Sequence, residues 1–359
     1  MLDLNMTCGG VIESVKVDGV ERMLTKPPHN RVVNTGIDYL LCGFFSDYSL
    51  IPNGSFLGGS YPSNSGAGCL VMSAIGSTNT PTTMDMTGLQ GTMLGYQYTY
   101  NSNAAASGTL TYIDDVNGYV VCRDIQSYTA VSSGTIWEFC TFYNSSNSMK
   151  LFSRCVLNAG ISVISGQTVS VTYTLRIKIP FFTAQKLSIP GISKTAWVQC
   201  NAIYANGASA ANNYCTGYSY YSSSHTKFIN FYNTAYPAAI LMPFSALDDT
   251  TNVSYWPLLS TDTTLELNAT YASSIYTKHY AGDMSYTLGS YVAGQGYRDF
   301  TWSILPSAGV QTIAYMTIRG LSFRFGDFDS DGTTWVASPI SKTADQRLNI
   351  TLRYTYSQE

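Results

Sequence analysis

The residues best placed to do chemistry in this 359-residue chain are the carboxylates of Asp327-Phe-Asp-Ser-Asp-Gly332. Carboxylates at alternate positions, closed by a glycine, suit oxygen ligation of Ca²⁺ in a tight loop, which makes Asp327, Asp329 and Asp331 the candidate metal ligands. A helix–loop–helix calcium site carries a further acidic residue where this chain has Ser338. The competing reading is a solvated acidic turn. No other cofactor is expected.

A second candidate is the run Tyr214–Tyr221, YCTGYSYY. Tyr214, Tyr218, Tyr220 and Tyr221 combine a large ring with a hydroxyl, which suits a glycan or receptor contact and equally a contact between subunits. The carboxylate pairs Asp114-Asp115 and Asp248-Asp249 invite a glycosidase reading, but neither lies in an evident apolar pocket, and Asp is a common turn residue. No Gly-x-Ser-x-Gly elbow accompanies His29, His225 or His279. The eight cysteines form no Cys-x-x-Cys pair, which argues against zinc. Cys140 and Cys155 flank one expected hairpin and are read as buried thiols, with a disulfide as the alternative. The Gly and Thr residues of Gly76–Pro81 lack both phosphate-loop spacings.

Composition narrows the field further. Charged residues make up 11% of the chain, against about 25% in typical soluble proteins. With a net charge of −3 there is no polyanion-binding surface to expect, so nucleic acid is a poor partner. The 28 tyrosines and many Ser, Thr and Asn must supply the polar surface, as in β-rich proteins with extensive subunit contact. Met1–Thr7 lacks the basic start and apolar run of a secretory leader, and no apolar segment nears the roughly 20 residues that span a bilayer.

The elements that must position these residues are mainly strands. Gln167–Ile179 alternates strictly, with Val169, Val171, Tyr173, Leu175, Ile177 and Ile179 on one parity. Gln346–Tyr356 repeats the pattern with Leu348, Ile350, Leu352, Tyr354 and Tyr356. Leu151-Phe-Ser-Arg154 precedes the first strand and Leu321-Ser-Phe-Arg324 the second, which suggests a duplicated β-unit. The acidic loop falls in an insertion: 22 residues separate Arg324 from Gln346, against 13 from Arg154 to Gln167. Asn34–Phe45 has helical spacing, with Asn34 or Thr35 as cap and Asp38 near its positive end. Further strands are expected at Val11–Val17, Cys69–Ile75, Thr263–Tyr271 and Ile313–Phe325, and a joint at Pro180–Pro190. The expected fold is mainly β: two tandem antiparallel β-sandwich-like units with a short N-terminal helix. Residues 1–95 would form an arm, helix and docking region, 96–180 the first β-unit, and 181–359 a second, related one.

Several of these segments resemble tail-appendage proteins of tailed bacteriophages. The resemblance rests on Asn34-Thr-Gly-Ile-Asp-Tyr-Leu, then Cys69–Gly76 with Thr80-Pro-Thr and Leu89, and later Leu151-Phe-Ser-Arg154 and Val169–Arg176. Their order over roughly the first 180 residues carries more weight than any single motif. The resemblance implies a non-enzymatic virion component of the tail, tail fibre or neck. It would be assembled in the host cytoplasm, bound to other tail proteins and oligomeric, with a trimer favoured. Residues 1–30 would contact a neighbouring virion protein. A receptor-binding protein for a host surface glycan is the alternative, and a polysaccharide-degrading tailspike a more distant one.

Overall fold

The computed structural model describes residues 1–22, 24, 28–38, 70–98, 110–114, 116–145, 148–178, 180–181, 183–189, 191–200, 258–267, 283–291, 294–318 and 321–358. They are mainly β, in curled sheets. The first strands are β1 (Leu2–Val17), β2 (Val20–Arg22), β3 (His29–Val32), β4 (Leu70–Gly76), β5 (Met93–Tyr98), β6 (Leu110–Asp114) and β7 (Tyr119–Thr129). The middle of the chain gives β8 (Gly134–Ser145), β9 (Ser148–Val163), β10 (Thr168–Lys178), β11 (Gln185–Ile189), β12 (Lys194–Cys200), β13 (Leu258–Ser260) and β14 (Met284–Leu288). The rest are β15 (Tyr297–Ile304), β16 (Gln311–Ile313), β17 (Tyr315–Ile318), β18 (Leu321–Phe328), β19 (Trp335–Ala337), β20 (Ile340–Lys342) and β21 (Leu348–Gln358). Among the described residues no helix is long and apolar enough to cross a membrane.

β1 organises the larger sheet. Its C-terminal part pairs antiparallel with β10, from Cys8↔Ile177 to Val17↔Val169. Its N-terminal part pairs parallel with β21, from Leu2↔Leu352 to Cys8↔Gln358. The two strands whose sequences echo each other therefore flank one strand, in opposite orientations. Residues 2–17, expected as an arm with a short strand, are a single long strand with Leu4, Met6, Cys8, Ile12, Val15 and Val17 all buried. The alternation in β10 and β21 is as expected: Val169, Val171, Tyr173, Leu175 and Ile177 are buried, as are Leu352, Tyr354 and Tyr356. Thr172 and Thr174, of the outward parity, are buried too, with their hydroxyls satisfied: Ser14 donates to Thr172, and Thr174 donates to Glu13. One continuous apolar cluster joins this sheet to the second, from Leu4 and Leu175 to Val198, Phe323 and Tyr354.

The second sheet runs β11-β12-β18-β17-β13, with β19 on β18. Two expectations change here. Ile313–Phe325 is not one strand, because β17 folds back on β18 at Ile318↔Leu321; alternation persists through a tight turn, so parity alone does not reveal it. Between Pro180 and Pro190 lies β11, at one end of this sheet. Residues 263–267, expected within a strand, lie in a turn region, where Asp262 accepts from the amide and hydroxyl of Thr264.

Of the expected helix, residues 34–38 are helical and the remainder lies outside the described residues. Asn34 is a cross-link more than a cap. Its side-chain amide donates to Asp85 at 2.8 Å, and its Oδ1 accepts from the Tyr291 hydroxyl and the Gly294 amide, both at 3.2 Å. Asp38 pairs with Arg298 at 2.6 Å.

Candidate functional site

The motif residues of the first half meet in one place. Gly36 lies against the β9 backbone; a Cβ there would stand 2.1 Å from the Phe152 carbonyl oxygen, so no larger residue fits. Thr35 donates to the Leu151 carbonyl. Residues 77–92, between β4 and β5, fold over the same spot. Met84 O accepts from the Asn34 amide at 2.9 Å, and Met86 and Leu89 pack on Val33, Ala74, Cys140, Phe142 and Leu151. At the centre Arg154 Nε donates to Glu138 at 2.7 Å, with both side chains fully buried. Arg154 Nη1 also donates to Thr80 O at 2.7 Å and Thr82 Oγ1 at 3.0 Å. Glu138 accepts from the amides of Gly91 at 2.7 Å and Gln90 at 3.2 Å. This is a water-excluded polar centre in which Arg154 Nη2 alone is buried without a hydrogen-bond partner, and its chemistry is to lock a loop onto a sheet.

Arg324, the counterpart of Arg154 in the second Leu-x-x-Arg block, is also buried and also bound to a glutamate, Glu266 at 2.9 Å. It opens onto an aromatic face that sequence reasoning did not single out. Arg324 stands across from Trp197 on β12, and Phe328 stands across from Trp335 on β19. The Trp197 and Phe328 rings meet edge-on at 5.2 Å, the Phe328 and Trp335 rings at 5.4 Å. The Arg324 guanidinium lies 4.3 Å from the Trp335 ring centre. Gly326 makes room for that indole: a Cβ there would stand 2.7 Å from it and 2.4 Å from Val336 O. Phe328 is 36% exposed, and Trp197 and Trp335 are half-buried.

The acidic loop borders this face, but its carboxylates are spent locally. Asp327 is paired with Lys186, whose hydrogen bond holds it below the usual carboxylate range. Asp329 accepts from the amides of Asp331 and Thr334, and Asp331 from the amide and hydroxyl of Thr333 at 2.7 and 2.6 Å. Those bonds, first the one shared with Asp329, hold Asp331 at about 2. The geometry is that of Asx turns. Among the described residues no three His, Cys, Asp or Glu side chains converge as a metal site would require.

The remaining candidates separate. Tyr214, Tyr218, Tyr220, Tyr221, His225, His279 and Asp248-Asp249 lie outside the described residues, as does Asp115. Asp114 caps its own turn, accepting from the Val116 and Asn117 amides at 3.2 and 3.0 Å. Cys8 is buried, and Cys140 and Cys155 are buried free thiols. Phe139 pairs with Cys155 and Cys140 with Arg154, so parity puts Cys140 and Cys155 on opposite faces of the sheet. Tryptophans 197 and 335 were hard to find because they are 138 residues apart. The available signal was Gly326, since a glycine inside a strand marks the close approach of another group.

No protein-family model, no curated protein and no solved structure matches this chain.

Proposed function

We propose that this chain is a non-enzymatic structural component of a tailed-phage virion, in the tail, tail fibre or neck, where it attaches to other tail proteins and assembles as a homo-oligomer, a trimer being favoured. Assembly in the host cytoplasm goes with this reading. The observation that supports it most is the convergence of the phage-like motifs. Asn34, Gly36, Thr80, Thr82, Leu89, Leu151 and Arg154 are scattered in sequence, yet they build one knot. Their joint occurrence thus has a physical reason, which short chance matches would lack. Arg154 and Arg324 are both buried and each has a glutamate partner, fully buried Glu138 in one case and exposed Glu266 in the other, which supports two related β-units, sandwich-like and fused through β1. Immunogold electron microscopy on purified particles from the source system tests the reading. Gold at the neck or tail is expected, and particles without gold, under antibody that recognises the folded chain, exclude it.

A second reading, recognition of a host surface glycan, is favoured by the Trp197–Phe328–Trp335 face, since sugar rings stack on partly exposed aromatics. It predicts saturable binding of host surface polysaccharide, lost in Trp335→Ala with assembly intact. A polysaccharide-degrading role is less favoured, because Asp114 is engaged as a turn cap.

A further inference from the structure

We propose that Asn117-Gly118, in the turn between β6 and β7, is a site of self-modification: Lys178 primes its peptide group for closure to a succinimide, and Asp114 holds that reaction off while the chain is folded. This chemistry does not depend on the virion reading.

In an Asn-Gly pair the glycine nitrogen can attack the preceding side-chain amide, and glycine, having no Cβ, does not hinder the approach. A bond forms between Gly118 N and Asn117 Cγ, and the bond from Cγ to Nδ2 breaks. The proton of the Gly118 amide leaves with Nδ2 as ammonia. Water then opens the cyclic imide at either carbonyl, which gives aspartate or isoaspartate at position 117. Asn117 is exposed, so water reaches it.

The attack needs the Gly118 amide to lose its proton. The Asn117 carbonyl and the Gly118 N–H belong to one peptide group. Lys178, placed across from Tyr119 by the pairing of β10 with β7, donates to that carbonyl. A cation on the oxygen stabilises the negative charge that deprotonation leaves on the peptide, and so favours attack. The Tyr119 ring, its centre 4.5 Å from Lys178 Nζ, helps to keep the ammonium in place.

Asp114 opposes this at both reacting groups. Its carbonyl oxygen accepts from the Gly118 amide at 2.8 Å, so the proton that must leave is bound. Its Oδ2 accepts from Asn117 Nδ2 at 2.9 Å, and ring closure requires that side chain to let go and rotate onto its own following peptide. Its Oδ1 accepts from the Val116 and Asn117 amides, which fixes the turn around both. The bond from the Asn117 side chain is the leading cause that holds the Asp114 carboxyl below its usual range, so the acceptor is charged at neutral pH. Gly118 itself is buried, which keeps hydroxide from its N–H. A carboxylate formed at position 117 would face that of Asp114, so the turn could not close again as before.

The test incubates the purified full chain at pH 8 and follows Asn117 by peptide mass mapping, which separates aspartate and isoaspartate from asparagine. In the wild type the conversion should be at least tenfold slower in native buffer than in guanidinium chloride. Asp114→Ala should speed the native reaction at least tenfold. Asp114→Asn keeps an acceptor for the Val116 and Asn117 amides, and it decides the matter where Asp114→Ala unfolds the turn. It should speed the reaction at least threefold with thermal stability intact. Adding Lys178→Met to Asp114→Asn should slow it again at least threefold. Equal native and denatured rates in the wild type, an unchanged rate in Asp114→Asn, or no slowing by Lys178→Met overturns the proposal. All readouts are on the isolated chain, so they stand apart from whether particles carry it.

Discussion

At the scale of residues, the Glu138–Arg154 pair is the most exacting contact described. Both groups are fully buried, so removing one strands the other's charge in a low-dielectric site. Glu138→Ala is expected to cost about 3–5 kcal/mol in urea unfolding, whereas replacing both partners with apolar residues should cost less than that single change. Cys8, Cys140 and Cys155 make a second residue-scale case. Burial pushes the Cys155 thiol up to about 12 and the Cys140 thiol well above its usual range. None of these thiols should react with a thiol reagent at pH 8 in the native state, while all should react in denaturant. Oxidant should leave Cys140 and Cys155 unlinked. Asp331 gives a pH prediction. Its folded pKa of about 2 lies below the unfolded value of about 3.9, so its stabilising effect is complete above roughly pH 4 and is lost as pH falls towards 2. Tryptophan fluorescence, reporting on Trp335 beyond the loop, should change over that window in the wild type and much less in Asp331→Asn.

At the scale of elements, Gly326 decides whether β19 can lie on β18. Its φ of 147° and the close approach of Trp335 and Val336 leave no space for a methyl group. Gly326→Ala should destabilise by about 1–3 kcal/mol and red-shift tryptophan emission as Trp335 is displaced. What the sequence revealed about such elements depended on distance along the chain. The inward side chains of β10 were legible because alternation is a property of a few adjacent residues, and Val169 through Ile177 are buried as that pattern requires. The partner of each strand was not legible, since parity tells which face a residue occupies and says nothing of its neighbour across the sheet. The β1–β21 pairing and the Trp197–Phe328–Trp335 face both escaped for that reason. The acidic loop was ambiguous on other grounds: alternate aspartates suit metal ligation and Asx turns equally, and the turn bonds to the Thr333 and Thr334 amides are not written in the spacing.

At the scale of the molecule, the shared strand β1 and the common apolar cluster tie the first and second halves together. Thermal unfolding should accordingly be a single transition, coincident by far-ultraviolet circular dichroism and by tryptophan fluorescence. Those signals sample different places, since Trp302 lies in the core and Trp197 on the second sheet. Two resolved transitions would mean that β1 couples the halves weakly.

The parallel register of β1 with β21 also sets a timetable. Cys8 meets Gln358, so the Leu2–Cys8 part of one edge of β1, the strand around which the large sheet is built, lacks its β21 partner until translation has nearly traversed the sequence described here. At about 5–20 residues per second the interval is roughly 20 to 70 seconds. During that time the N-terminal half sits on the ribosome as an incomplete sheet, and its fate depends on whatever holds that edge away from other nascent chains.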